Sequence, residues 1–154
     1  MLLRDRTVLI TGVLTPSSIA HRCARVAQEQ GATVVLTSFG RAAATTRRAA
    51  RKLPVEPDVL ELDVTDQAHL DALAPQISDR WGELHGVVHA VGFAPAACLG
   101  QDDGLFAASW DEVATALQVS AWSLPALADA LRPVLASDAS IVGLDFDASV
   151  AWPA

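Results

Sequence analysis

Short apolar runs rich in β-branched residues alternate along the chain with longer stretches in which apolar residues recur every three or four positions, the pattern of buried strands separated by amphipathic helices. The first run, Thr7-Val8-Leu9-Ile10, leads into a sharp turn at Thr11-Gly12, and a helix is predicted from about Ser18 to Gln30, closed by Gly31. Ile19, Cys23, Val26 and Ala27 set its helical spacing. A second strand spans Thr33 to Thr37, and an alanine- and arginine-rich helix runs from Arg41 to Leu53 before Pro54 stops it. The third strand is Val59 to Val64, with Asp63 near its carboxyl end; the helix after it runs from about Asp66 to Trp81 and ends at Gly82. Leu84 to Ala90 is the fourth strand, followed by a turn at Val91-Gly92-Phe93-Ala94-Pro95 and a loop from Ala96 to Gly104. A long helix from about Ser109 to Leu135, bent near Pro125, leads to a fifth strand, Ser140 to Phe146.

Five strands interleaved with four helices, joined by right-handed crossovers, imply one α/β domain with a single parallel sheet. The expected fold is a Rossmann-like, doubly wound sheet of strand order 3-2-1-4-5 covering residues 1–154 and incomplete after strand five. Strand, turn and helix at Thr7 to Ala20 form the unit that in such folds sets a pyrophosphate at a helix amino terminus. The usual Gly-x-Gly-x-x-Gly is absent: Gly12 remains, with Ser18 and Ala20 where later glycines would stand. Taken alone, this stretch reads equally as a strand turn with a serine helix cap. Asp63 either reaches an adenine amino group from the sheet edge or caps the following helix. The second strand ends at Thr37-Ser38-Phe39-Gly40-Arg41, with no carboxylate and one arginine, which tilts the simple ribose rule toward NADP.

Composition narrows the class further. At 154 residues and 51% hydrophobic, the chain is long enough for one core with strands buried on both faces. No apolar run reaches membrane-spanning length, and Met1-Leu2-Leu3-Arg4 leads into charge rather than a leader core, so a cytoplasmic protein without membrane contact is expected. A net charge of −7 argues against nucleic acid as a partner. The basic cluster Arg47, Arg48, Arg51 and Lys52 then reads as a solvated helix face. Cys23 and Cys98 read as reduced thiols, and the four histidines show no metal-ligand spacing.

Several of these landmarks together resemble NADH-dependent enoyl-acyl-carrier-protein reductases, divergent members of the short-chain dehydrogenase/reductase superfamily. The resemblance lies in Thr11-Gly12 with Ser18-Ile19-Ala20, the run Ala24 to Ala32, Leu60-Glu61-Leu62-Asp63-Val64, Gly86 to Phe93, and Ser140 to Asp147. It implies that Ser18, Ile19 and Ala20 hold the pyrophosphate behind Gly12, and that Phe39 lies beside the adenosine. It further implies that Asp63 and Val64 contact adenine, while Val91, Gly92 and Val119 line the ribose and nicotinamide side. Phe146 matches the family's aromatic residue between nicotinamide and enoyl substrate; a phenylalanine at a strand end is also an ordinary core residue. The implied reaction is hydride transfer from NADH to a trans-2-enoyl thioester carried on acyl carrier protein, in fatty acid biosynthesis. The implied assembly is a homotetramer.

The resemblance also marks departures. The family's oxyanion donor is a tyrosine aided by a lysine; this sequence has no tyrosine, and its one lysine, Lys52, falls on the far side of the expected sheet. Ala151-Trp152-Pro153-Ala154 resembles the run just before that tyrosine, so the chain is expected to be an amino-terminal portion with little or no turnover of its own. Gly40 stands where similar members carry an acidic residue, which leaves Arg41 unopposed and NADPH use open. His21 reads as a helix-surface residue. The competing readings are a catalytically silent nucleotide-binding or interaction module, and a carbonyl-reducing relative, against which the Ser-Ile-Ala turn argues.

Overall fold

The computed structural model describes residues 1–99 and 107–145. Its five strands are β1 (Thr7–Ile10), β2 (Thr33–Ser38), β3 (Val59–Glu61), β4 (Leu84–His89) and β5 (Leu135–Gly143). They form one parallel sheet in the order β3-β2-β1-β4-β5, as the alternation of patterns predicts. The helices are α1 (Ile19–Glu29), α2 (Ala42–Ala50), α3 (Gln67–Trp81), α4 (Trp110–Leu117) and α5 (Ser123–Leu131).

Because successive side chains of a strand point to opposite faces, β1 feeds two cores. Val8 and Ile10 join Val34, Leu36 and the small residues Ala20, Ala24 and Ala27 of α1, with Ala49 and Ala50 of α2. Leu9 joins Val35, Val87, and Leu70, Leu73 and Ile77 of α3, with Leu127 and Leu131 of α5. Both Leu73 and Ile77 are wholly buried, so truncating either to alanine removes about 2–5 kcal/mol.

Three expectations change. Helix α1 turns Ala20, His21, Ala24 and Ala27 inward, while Ile19 and Val26 stay exposed. Close packing of two helices on one sheet face selects these small residues over the larger aliphatics. His21 is therefore not a surface residue: it is buried, and its Nε2 meets the Ala49 carbonyl at 3.2 Å, tying α1 to α2. The long last helix is interrupted by a π-helical turn at Gln118–Trp122, which ends just before Pro125; lacking an N–H, Pro125 cannot bond the Ala121 carbonyl inside that turn. A short 3₁₀ turn, Arg132–Val134, then leads directly into β5.

Strand β5 also begins earlier than its apolar run. Leu84 pairs with Leu135 but Gly86 pairs with Ser140, so an irregularity separates the two stretches. Asp138 lies within it and receives both Arg6 guanidinium nitrogens, at 3.0 and 2.9 Å. That pair holds the Asp138 carboxyl below its ordinary value. Among the described residues β5 is an edge of the sheet, and Val142 and Leu144 are about half exposed there. No helix among the described residues is long and apolar enough to cross a membrane.

The tightest point of the fold is Gly12, at φ +76°, whose absent Cβ would sit 2.0 Å from the Ala90 carbonyl oxygen. Gly40 also has a positive φ, +50°, but faces open space. Gly12→Ala is expected to cost about 4 kcal/mol or to prevent folding, whereas Gly40→Ala is expected to cost about 1 kcal/mol of backbone strain. Urea midpoints of the two variants check this, and equal losses would contradict the close contact.

Candidate dinucleotide site

The carboxyl ends of β1 to β4 open onto one cavity of about 450 Å³. This is the edge at which doubly wound sheets bind ligands, and the volume lies in the usual range for a small-molecule site. Its floor is made where β1 turns outward. Thr11 is fully buried; its N–H donates to the Val88 carbonyl at 3.0 Å, and its Oγ1 accepts from the Ala90 N–H at 2.9 Å. Those bonds bring the Gly12 turn against the start of the loop after β4. Gly12, Val13 and Leu14 line one side of the cavity and Ala90, Val91, Gly92 and Phe93 another.

A hydrogen-bonded corner that the sequence pattern does not reveal fixes a third side. The buried Thr46 hydroxyl of α2 donates to the Val13 carbonyl at 2.6 Å and lies 2.9 Å from the Ser38 hydroxyl at the end of β2. Thr46 thus joins α2, the Gly12 turn and β2 at the cavity wall. Only its place in an Ala-Ala-Ala-Thr-Thr run, four residues after the helix start, hinted that a polar residue points inward.

Phe39, nearly half exposed, lies at one end of the cavity with Asp63, Val64 and Thr65. The Asp63 carboxylate accepts from the Thr65 N–H at 2.9 Å and from the Thr65 hydroxyl at 2.7 Å. Asp66, not Asp63, caps α3, accepting from the Ala68 N–H at 2.9 Å. The helix-capping alternative for Asp63 is thereby removed, and among the described residues its second oxygen is left for a donor. Arg41 lies just beyond Phe39, exposed.

Val119 closes the opposite side, with Thr115 of α4. It belongs to the π-helical turn, whose neighbour Ser120 clasps the loop after β4: the Phe93 N–H donates to Ser120 Oγ at 3.0 Å, and Ser120 Oγ donates to the Phe93 carbonyl at 2.9 Å. Gly92 has open space where a Cβ would be, apart from Ser120 Oγ at 3.9 Å. Behind the turn, Ser123 Oγ donates to the Val119 carbonyl at 2.6 Å and meets His89 Nε2 at 2.7 Å.

The structure thus gathers Gly12, Phe39, Asp63, Val64, Val91, Gly92 and Val119 around one cavity. It does not bring Ser18, Ile19 and Ala20 into the cavity wall. Ser18 is the extended residue before α1, its hydroxyl donating to the Thr15 carbonyl at 2.6 Å rather than capping the helix. Ile19 is exposed and Ala20 is buried against the sheet. What Ile19 and Ala20 offer is backbone: they open α1, where a helix leaves its first N–H groups unbonded, and no acidic residue occupies that turn. Phe146 lies outside the described residues, as does the part of the Ala96–Gly104 loop beyond Leu99; Ala96–Leu99 forms a 3₁₀ turn. Among the described residues no group of His, Cys, Asp and Glu is placed to hold a metal.

The fold and its edge cavity define a Rossmann-like α/β protein. The chain belongs to the enoyl-(acyl carrier protein) reductase family, whose model matches residues 12–154. It is 42% identical to the NADH-dependent enoyl-acyl-carrier-protein reductase of Mycolicibacterium smegmatis, over 99% of this chain and 57% of that protein. The corresponding figures for the reductase of the same name from Mycobacterium avium are 40%, 99% and 57%. For the NADH-dependent reductase of Neisseria meningitidis serogroup B they are 34%, 94% and 55%. The chain therefore spans little more than half the length of these relatives.

Burial holds the His89 imidazole below its ordinary value of 6.5, opposed in part by a hydrogen bond at its own backbone. The folded chain keeps His89 neutral where the unfolded chain binds a proton, so stability should rise with pH through the window just below 6.5 and fall as pH drops through it. Urea midpoints between pH 7.5 and 5.0 should show this loss in the native chain and a smaller loss in His89→Gln. Equal pH dependence in both would contradict it.

Proposed function

We propose that this chain supplies the NADH-binding part of an enoyl-acyl-carrier-protein reductase acting in fatty acid biosynthesis. The observation that carries the reading is the single cavity at the carboxyl edge of the sheet, into which seven residues singled out by the sequence converge from β1, β2, β3, β4 and the π-helical turn. In this reading the dinucleotide lies across the strand ends, with one ring system at each side of the cavity. Phe39, Val64 and one free oxygen of Asp63 receive the adenosine at one end; Val91, Gly92 and Val119 receive the nicotinamide riboside at the other. Between them, Gly12 keeps the backbone low, and the first-turn N–H groups of Ile19 and Ala20, just after Ser18, attract the pyrophosphate. Nicotinamide bound there supplies a hydride for the β-carbon of an enoyl thioester presented by acyl carrier protein. Phe146 is the residue the family resemblance sets beside that thioester.

Reduction also needs a donor for the negative charge that develops on the thioester oxygen, and losing such a donor typically costs a hundredfold or more. The family uses a tyrosine and a lysine. Tyrosine is missing from these 154 residues, and Lys52 lies just past the end of α2, exposed, away from the cavity. These 154 residues are therefore assigned coenzyme binding, with little turnover expected from them alone and the homotetramer expected of a full-length family member. The absence of a carboxylate beside Arg41 leaves NADPH as an alternative coenzyme.

Titration of the chain with NADH and NADPH, followed by reduced-nicotinamide fluorescence, should show saturable binding of NADH. Ser18→Asp gives up the hydroxyl's bond to the Thr15 carbonyl and sets a negative charge against the pyrophosphate, and should abolish that binding, whereas Ser18→Ala, which gives up the same bond without the charge, should keep most of it. The same preparation should reduce a trans-2-enoyl thioester at least a hundredfold more slowly than a full-length family member. Absence of NADH binding, or binding indifferent to Ser18→Asp, would refute the proposal.

A further inference from the structure

A straight α-helix through residues 110–131 would carry Val119 and Ser120 to different sides than the ones they occupy. The π-helical turn at Gln118–Trp122 inserts one extra residue, a phase change of about 100° between α4 and α5. That offset lets Val119 face the cavity and Ser120 clasp Phe93 while Leu127 and Leu131 of α5 stay in the core. A π-helical turn is less favourable than continuous helix and persists where surrounding contacts hold it.

The contact that holds this one is buried between the sheet and the turn. Ser123 has one hydroxyl proton, and it goes to the Val119 carbonyl at 2.6 Å. Ser123 Oγ can then only accept from His89 Nε2, 2.7 Å away, which fixes the imidazole tautomer with its proton on Nε2. Both side chains are almost fully buried. His89 is the last residue of β4, and its carbonyl accepts from the Leu144 N–H at 3.2 Å, so it is anchored to the sheet on the other side.

We propose that His89 is a positioning residue: through Ser123 it fixes the π-helical turn, and with it the wall formed by Val119 and by Phe93, which Ser120 of the turn clasps, at the nicotinamide end of the cavity. His89 does not line the cavity and would not touch a ligand there. The naming of the nicotinamide end rests on the functional reading above; the hold on the wall does not. Loss of one such buried hydrogen bond should weaken a ligand reaching that wall about tenfold. A ligand confined to the adenosine end should be unaffected.

The test uses the ¹⁵N-labelled chain and the variants His89→Ala, His89→Gln and Ser123→Ala, with NADH and ADP as probes. Glutamine can present an N–H near the position of Nε2 and serves as the conservative rescue. Expected for His89→Ala and Ser123→Ala are displaced amide resonances for Phe93, Ser120 and Leu124, a roughly tenfold weaker NADH affinity and unchanged ADP affinity. His89→Gln should restore the resonances and the NADH affinity. Unmoved resonances at Phe93 and Ser120, failure of glutamine to restore them, or equal weakening of NADH and ADP would overturn the proposal. If His89→Ala does not fold, Ser123→Ala carries the same comparison. If the unmodified chain binds neither probe, the dinucleotide reading falls, and the resonances alone decide whether His89 positions the wall.

Discussion

The whole edge cavity depends on how closely β1 and β4 let their exits approach. Gly12 passes so near the Ala90 carbonyl that no side chain fits between them, and the buried Thr11 hydroxyl holds the two segments together by bonding the Ala90 N–H. A wider separation would splay the Gly12 turn from the loop at Val91-Gly92-Phe93 and open the cavity floor to water. The consequence reaches further: α1 starts from this turn, Thr46 of α2 is bonded to its Val13 carbonyl, and Ser120 of the π-helical turn is bonded to Phe93 on the other side. Gly12 is thus needed here for strand packing first; what it offers a cofactor is the low floor that results.

Around that floor the cavity is built from two kinds of material. Its walls are mainly apolar side chains and backbone, which exclude water but choose no ligand. Its polar groups are tied into local bonds: Asp63 to Thr65, Ser38 to Thr46, Thr115 to the Asp111 carbonyl. Such bonds keep the wall from rearranging when a ligand arrives, so less ordering has to accompany binding. The same economy explains the burial of His89 and Ser123, polar groups that satisfy each other behind the wall instead of facing the cavity.

Strand order and seven of the eighteen cavity-lining residues were legible because they rest on strong signals. β-branched runs such as Thr33-Val34-Val35-Leu36 mark strands, and glycines at Gly12, Gly31 and Gly82 mark turns with positive φ. The inward face of α1 was not legible, because alanine and a buried histidine carry little hydrophobic signal; packing distance, not hydropathy, chose that face. The π-helical turn escaped for a similar reason: Gln118-Val119-Ser120-Ala121-Trp122 has ordinary helical propensities, and the residues that meet it, Phe93 directly and His89 through Ser123, are distant in sequence. The early start of β5 was hidden because Ser137-Asp138-Ala139 has no strand pattern and is set in place by Arg6. The role of Thr46 was equally hidden, since one threonine in a helix says nothing of which carbonyl it will meet.

Hydrogen–deuterium exchange of the chain with and without saturating NADH tests the central claim most directly. The account predicts slowed exchange in four segments that are far apart in sequence and meet only at the sheet edge: Gly12 to Ala20, Ser38 to Gly40, Asp63 to Thr65, and Val91 to Phe93, with Val119 and Ser120 following. Protection confined to other surfaces, such as the edge of β5 around Val142, or no protection at all, would contradict the assignment of this cavity as the dinucleotide site.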